Sequence, residues 1–324
     1  MNRTFVALIW IGGFAVTAAA SAQQAASYPD RPIRVIVPSS PGSPADLVGR
    51  VIGEKLATAF GQPLVFDNRP GATGVIGLET VAKSAANGYT LGVIAMPHAV
   101  IPSLVRKMPY DTQKDLAPVA LVTWSYNVLV ARTGSTLKSL GELVAVAKAK
   151  PGAISFSSGG NGTPSHLAGE LLKRVAGIEL THVPHKGPAP AIVAVLTGDV
   201  DMNIGTVGAL SPHIKAGKLH PLAASSPQRL AAHPDLPTFG ELGYPGVQIR
   251  DWQGFIAPAG TPKAVIDRVH AEITRAIAMP DIKVRLDGFG MEIVGAGPEA
   301  FAEHIRSEME RWGKLVRDAG IRAD

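Results

Sequence analysis

Two short segments of this sequence carry residue types that bind ligands, and they share one layout. Ser157-Ser158-Gly159-Gly160-Asn161-Gly162-Thr163-Pro164 runs from a predicted strand into a predicted helix, with Pro at the first helical position. The free N–H groups and positive dipole end of such a helix start suit an anion, and small residues let a ligand reach the backbone. Pro38-Ser39-Ser40-Pro41-Gly42-Ser43-Pro44-Ala45-Asp46 has the same order of strand end, glycine and helix start. Here Asp46 could receive a ligand ammonium or hydroxyl, or could simply favour the helix N-terminus electrostatically. Ligands of open α/β sheets sit at the carboxyl ends of strands, where both loops lie, so the two could face each other.

Other chemistries find little support. The glycine-rich loop lacks the Lys-Ser/Thr ending of a phosphate-binding loop, and no G-x-G-x-x-G follows a strand. His182 and His185 are too short a pair, with no carboxylate beside them, to predict a metal site. There is no G-x-S-x-G nucleophile elbow. A hydrolase using His98 or His166 with a nearby Ser stays open, as does a plain hydrogen-bonding or capping role for His166. With no Cys, thiolate chemistry, disulfides and Cys-ligated metals are excluded together.

The elements that position these loops alternate. Residues 32–38 form a β-branched run, 45–60 carry apolar residues at helical spacing, and strands at 64–66 and 89–95 flank a helix near 75–84. Pro118 to Arg132 is almost continuously apolar, long for one buried strand, and could pass between two domains. Further βα units follow up to a strand at 219–223, and the Pro-rich stretch 226–245 is where the chain could cross back. Thr261 is predicted to cap one C-terminal helix and Pro298 to open the last. The pattern is α/β, with mainly parallel sheets expected.

The 324 residues are 46% hydrophobic and 18% charged, with 35 Gly and 26 Pro, which describes an ordered, turn-rich chain with room for about two domains. A formal charge of +5 without a Lys/Arg block, zinc spacing or basic-aromatic stripe does not imply nucleic acid. Asn2 and Arg3, the apolar run 5–16 and Ala20-Ser21-Ala22 read as an export signal over residues 1–22, cleaved before Gln23. That run is shorter than the about 20 apolar residues of a membrane span. A soluble mature protein, in a periplasm, is the expectation.

Several strings occur in order along the chain: Arg31-Pro-Ile-Arg-Val-Ile-Val-Pro38, Asn68-Arg-Pro-Gly-Ala-x-Gly74, Ala86-Asn-Gly-Tyr-Thr-Leu91, Ser158-Gly-Gly-Asn-Gly-Thr163, His182-Val-Pro-His-Lys-Gly187 and Ala257-Pro-Ala-Gly-Thr-Pro262. Together they resemble the Bug family, periplasmic solute-binding receptors of tripartite tricarboxylate transporters, over nearly the whole mature chain. The resemblance implies a two-domain Venus-flytrap clamshell joined by two crossing strands, with 27–122 plus 225–324 as one domain and 123–224 inserted as the other. It implies a monomeric, non-enzymatic receptor without cofactor or metal. Such a receptor would close on a small aliphatic or aromatic carboxylate and deliver it to membrane transporter subunits, or serve a signalling partner. By position, the binding residues would be Ser39, Ser40, Ser43, Asp46, His98, Ser158, Asn161, Gly162, Thr163, His166, Lys186 and Thr206. The chain departs from the family pattern at Ser39, where an aromatic is common, at Ser43, where glycine is common, and at His185, where tyrosine is usual. Those changes imply a roomier, more polar wall and a ligand bulkier or more hydroxylated than the simplest dicarboxylates.

Overall fold

The structure, a computed structural model, describes residues 28–318, 320 and 321. The predicted export signal lies outside them. Ten strands form one continuous sheet in the order β2-β1-β3-β9-β4-β7-β5-β6, with β10 and β8 also pairing with β4. The strands are β1 (Ile33–Val37), β2 (Leu64–Asn68), β3 (Thr90–Ala95), β4 (Leu116–Arg132), β5 (Ser155–Ser158), β6 (Thr181–Pro184), β7 (Met202–Thr206), β8 (Leu219–Ala224), β9 (Arg250–Pro258) and β10 (Met291–Ala296). The helices that matter below are α1 (Pro44–Phe60), α2 (Val75–Ala82), α3 (Met96–Leu104), α4 (Leu140–Ala149), α5 (Pro164–Ala176), α6 (Pro188–Thr197), α7 (Val207–Lys215), α8 (Lys263–Ile277), α9 (Pro280–Gly288) and α10 (Pro298–Asp318).

The long apolar run is a single 17-residue strand, β4, that belongs to both halves of the sheet. Its residues 116–126 pair with β9, and residues 127–131 pair with β7. The return crossing is the segment between β8 and β9, pinned beside the middle of β4. Ser225 N–H donates to the Asn127 carbonyl, the Asn127 N–H donates to Ser225 Oγ, and Ser225 Oγ donates to the Ile249 carbonyl.

The sheet is mixed rather than mainly parallel. β1 runs parallel to β2 and β3, and β5 parallel to β6 and β7, as βα units require. The strands in the middle of the sheet, β9 and β4, pair antiparallel with their neighbours. β9 has no expectation behind it, because Arg250-Asp-Trp-Gln-Gly-Phe mixes charge, amide and glycine in a strand whose side chains are nearly all buried. Two further differences are local. The helix expected to be capped by Thr261 starts after Pro262, and the Thr261 hydroxyl instead donates to the Pro258 carbonyl. Met96–Leu104 is a helix despite Pro102 within it.

Packing sets which face carries what. Gly49 and Gly53 let α1 lie close against Val93 and Phe66, and Gly169 lets α5 lie on the Phe156 ring. Strand register puts Val93 on one face with Phe255, and Phe156 on one face with Met202 and Ala131. The opposite side of β9 is tied to α10. Trp252 Nε1 and Trp312 Nε1 both donate to Glu308 Oε2, at 3.1 and 2.7 Å, so this buried carboxylate joins the strand to the C-terminal helix.

A β-carbon on Gly254 would run into the Phe301 ring and come within 2.6 Å of the Ala120 carbonyl oxygen. Gly254→Ala should therefore destabilise the protein by about 1–3 kcal/mol, read as a lower urea midpoint with unchanged slope.

Candidate ligand-binding site

Helices begin at the carboxyl ends of strands in both halves, among them α1 after β1, α3 after β3, α5 after β5 and α7 after β7. Because β3 pairs with β9 while β7 pairs with β4, and β4 pairs with β9, these starts border the same stretch of sheet from two sides. The halves also touch. A side chain on Gly162, in the loop before α5, would collide with Leu104 at the end of α3, and one on Gly208 would collide with the Phe289 carbonyl.

The loop before α1 is internally braced. Ser43 is the N-cap, its hydroxyl accepting the Asp46 N–H, and Pro44 opens the helix. Asp46 is buried and accepts from the Gly42 N–H at 2.9 Å, Arg50 Nε at 2.9 Å and Asn68 Nδ2 at 2.9 Å. Its carboxylate thus ties the loop to β2 rather than standing open. Asn68 Nδ2 also donates to the Ser39 carbonyl, and the Ser39 and Ser43 hydroxyls lie 2.6 Å apart. Ser40 is exposed at the tip.

His98 is buried at the start of α3. Its Nδ1 accepts the Ala95 N–H at 2.9 Å, and Nε2 faces the Pro38 carbonyl, so the ring bridges the ends of β3 and β1. Gly74, at φ +97°, is obligatory here, since a β-carbon would collide with this imidazole. Burial lowers the His98 pKa to about 4, with the two backbone contacts opposing the shift.

The second loop repeats the design. Thr163 is the N-cap of α5, accepting the His166 N–H, and its hydroxyl donates to the Gly160 carbonyl at 2.7 Å. His166 Nδ1 accepts the Gly162 N–H at 3.1 Å, which realises the capping alternative for this histidine. Its ring stacks on His182 at 4.1 Å, and His182 stacks on Phe156 at 4.8 Å. Burial lowers the His166 pKa to about 3, with His182 and Lys173 adding to the effect. Ser158 Oγ is 2.6 Å from His182 Nε2 and accepts the Gly160 N–H, while the 185–187 turn hydrogen-bonds back to Ser158 and Gly159. Gly162 is buried, Asn161 half-buried, and Lys186 exposed beside the turn. Thr206 ends β7 as the N-cap of α7, without a side-chain capping bond. A hydrolytic dyad built on His98 or His166 finds no support in this geometry, because Nδ1 of each ring accepts a loop N–H, which puts the ring proton on Nε2 and leaves no basic nitrogen free.

What the sequence reading missed is the floor. Thr123, Ser125 and Asn127 alternate along β4 and share one face with Gln253 and Asp251, the cross-strand partners of Thr123 and Ser125. All five are buried. The same row continues into Ala95, partner of Gln253, and Thr206, partner of Asn127. By register it is the face covered by α1 on one side and α5 on the other. A depression of about 450 Å³ elsewhere, lined by Tyr110, Thr112 and Met309, involves none of these loops.

A continuous α/β sheet whose two halves each aim helix starts at a shared crossing is the clamshell of solute-binding proteins. The chain belongs to the tripartite tricarboxylate transporter family receptors, whose family model matches residues 48–321. BugT of Bordetella pertussis is 38% identical over 325 residues, covering 99% of each chain. The solved periplasmic binding protein BugD has a TM-score of 0.83 at 31% identity, over 92% of this chain and all of that one. R. palustris Rpa4515, solved with adipate, has a TM-score of 0.85 at 31% identity, again over 92% and 100%. Family and neighbours are binding proteins, not enzymes. Among the described residues no helix is long and apolar enough to cross a membrane, and no cluster of His, Asp or Glu could hold a metal.

The neutral histidines make the bracing acid-sensitive. His98 and His166 stay unprotonated in the folded state well below 6.5, while the unfolded chain takes up protons there, so their contribution is complete above about pH 6.5 and lost as pH falls towards 4. In His98→Gln, the acid-side decline of unfolding free energy between pH 6.5 and 4 should be shallower than in wild type by about 1.4 kcal/mol per pH unit. Denaturant titrations across that range check it.

Proposed function

We propose that this protein is an exported receptor that closes on a small carboxylate between its two lobes and hands it to the membrane subunits of a tripartite transporter. The observation that carries this reading is the convergence of helix starts from both halves of the sheet on one buried polar row. A carboxylate there meets the positive ends of helices from each lobe, and so favours the closed arrangement by touching both. The family and the adipate held by Rpa4515 support the ligand class.

The lobes divide as 27–122 plus 225–324 and 123–224; the switch of β4 from β9 to β7 near residue 126 and the pinning of Ser225 support crossings close to these bounds. Ser39, Ser40, Ser43, Ser158, Asn161, Gly162, Thr163 and Thr206 face the solute with side chain or backbone, and Lys186 supplies positive charge at the rim. Asp46, His98 and His166 act at one remove by fixing the loops. The receptor works as a monomer, and the mature chain begins at Gln23.

A thermal-shift panel of aliphatic, hydroxylated, amino and aromatic carboxylates on the mature chain tests this. A binder at 100 times its dissociation constant adds about 2.7 kcal/mol if it binds only the folded state. A panel that leaves the midpoint unmoved, after removal of copurified ligand, contradicts the reading.

A further inference from the structure

Four side-chain atoms in the floor row have no hydrogen-bonding partner among the described residues. They are Asn127 Oδ1, Asn127 Nδ2, Asp251 Oδ1 and Gln253 Nε2. Their residues are 0%, 4% and 0% exposed for Asn127, Asp251 and Gln253, so these atoms are shielded from bulk solvent. Leaving buried polar groups unpaired is costly, and a carboxylate without a cation costs most. Nearby groups are otherwise paired. Thr123 Oγ1 donates to Gln253 Oε1 at 2.8 Å, Ser125 Oγ donates to the Asp251 carbonyl, and the Gln253 side chain lies beside the Asp251 carboxylate, while Asp251 Oδ1 and both polar atoms of the Asn127 amide have no partner among the described residues. Among the described residues no Lys or Arg forms an ion pair with Asp251.

We propose that Asp251, Asn127 and Gln253 form a subsite that reads a hydrogen-bond-donating substituent, an ammonium or hydroxyl, on the bound carboxylate. The inference rests on the receptor reading and adds the part of the ligand that the helix starts do not address. Asp251 Oδ1 and Asn127 Oδ1 accept from the substituent, while Asn127 Nδ2 and Gln253 Nε2 donate to an oxygen of the same solute. The subsite lies between the two sets of helix starts, on the strands that join the two lobes. A solute whose carboxylate sits on a loop therefore reaches the floor with its substituent. Burial pushes the Asp251 carboxyl up to about 7, with Gln253 opposing and Glu308 adding, which is the behaviour of an acidic group with no cation beside it.

Calorimetric titration of the mature chain with matched sets tests it: succinate, malate and aspartate for an aliphatic skeleton, and benzoate with 4-hydroxybenzoate and 4-aminomethylbenzoate for an aromatic one. In the skeleton that binds, a substituted member should bind at least about tenfold tighter than the plain one, the size expected for hydrogen bonds to a charged group. Asp251→Asn should lose at least about tenfold for that member and stay within about twofold for the plain one. Should that variant not fold, Asn127→Leu carries the test. It should raise the melting temperature without ligand, because an unpaired amide is removed, and weaken the substituted member selectively. Equal affinity for plain and substituted members, or equal losses for both in the variants, overturns the subsite and leaves the receptor reading standing. If no carboxylate binds, the receptor reading falls and the subsite with it.

Discussion

The structure depends on one strand being shared by two halves of a sheet. β4 is paired with β9 and β10 along its first part and with β7 and β8 along its second. Because β3 pairs with β9 and β7 pairs with β4, the carboxyl ends of the parallel strands on each side are brought towards the same crossing. The helices that follow those strands have their N-termini there by connectivity alone. A ligand site thus follows from the sheet topology before any particular side chain is considered.

What the side chains add is rigidity in the loops. The two principal loops use the same device in both halves: a hydroxyl N-cap, a proline opening the helix, and a buried group three residues after the cap that reaches back to an N–H of the loop. In the first loop that group is Asp46, accepting from Gly42; in the second it is His166, accepting from Gly162. His98 does the corresponding work at the start of α3, holding Ala95 and Pro38 together. A loop held this way loses little freedom on binding, so more of the contact energy appears as affinity. The two serines that depart from the family pattern in the first loop are bonded to each other, so Ser43 closes the helix start while Ser39 keeps a small polar wall.

Much of this was legible in the sequence, and the failures have a common cause. Ser43-Pro44 and Thr163-Pro164 announce helix starts by cap and ring chemistry, which act locally and survive tertiary context. The roles of Asp46, His98 and His166 were ambiguous because a buried bracing group and a ligand-contacting group have the same residue types, and only their partners separate them. β9 escaped because its polar residues face a buried row and so break the hydrophobic pattern that marks a central strand. The floor did leave a signal. Within the apolar run 118–132, Thr123, Ser125 and Asn127 fall at every second position between Trp124 and Tyr126, the period of a strand with one polar face. Apolar residues on both sides of that stretch hid the alternation.

The central claim is that solute is held between the helix starts of both lobes, above the β4–β9 row. A crystal structure of the mature chain with a bound carboxylate tests it most directly. The predicted result is a carboxylate lying between the N-termini of α1 and α5, with the rest of the molecule over Asn127 and Asp251. A ligand held by one lobe alone, or lodged in the depression at Tyr110 and Met309, would contradict it.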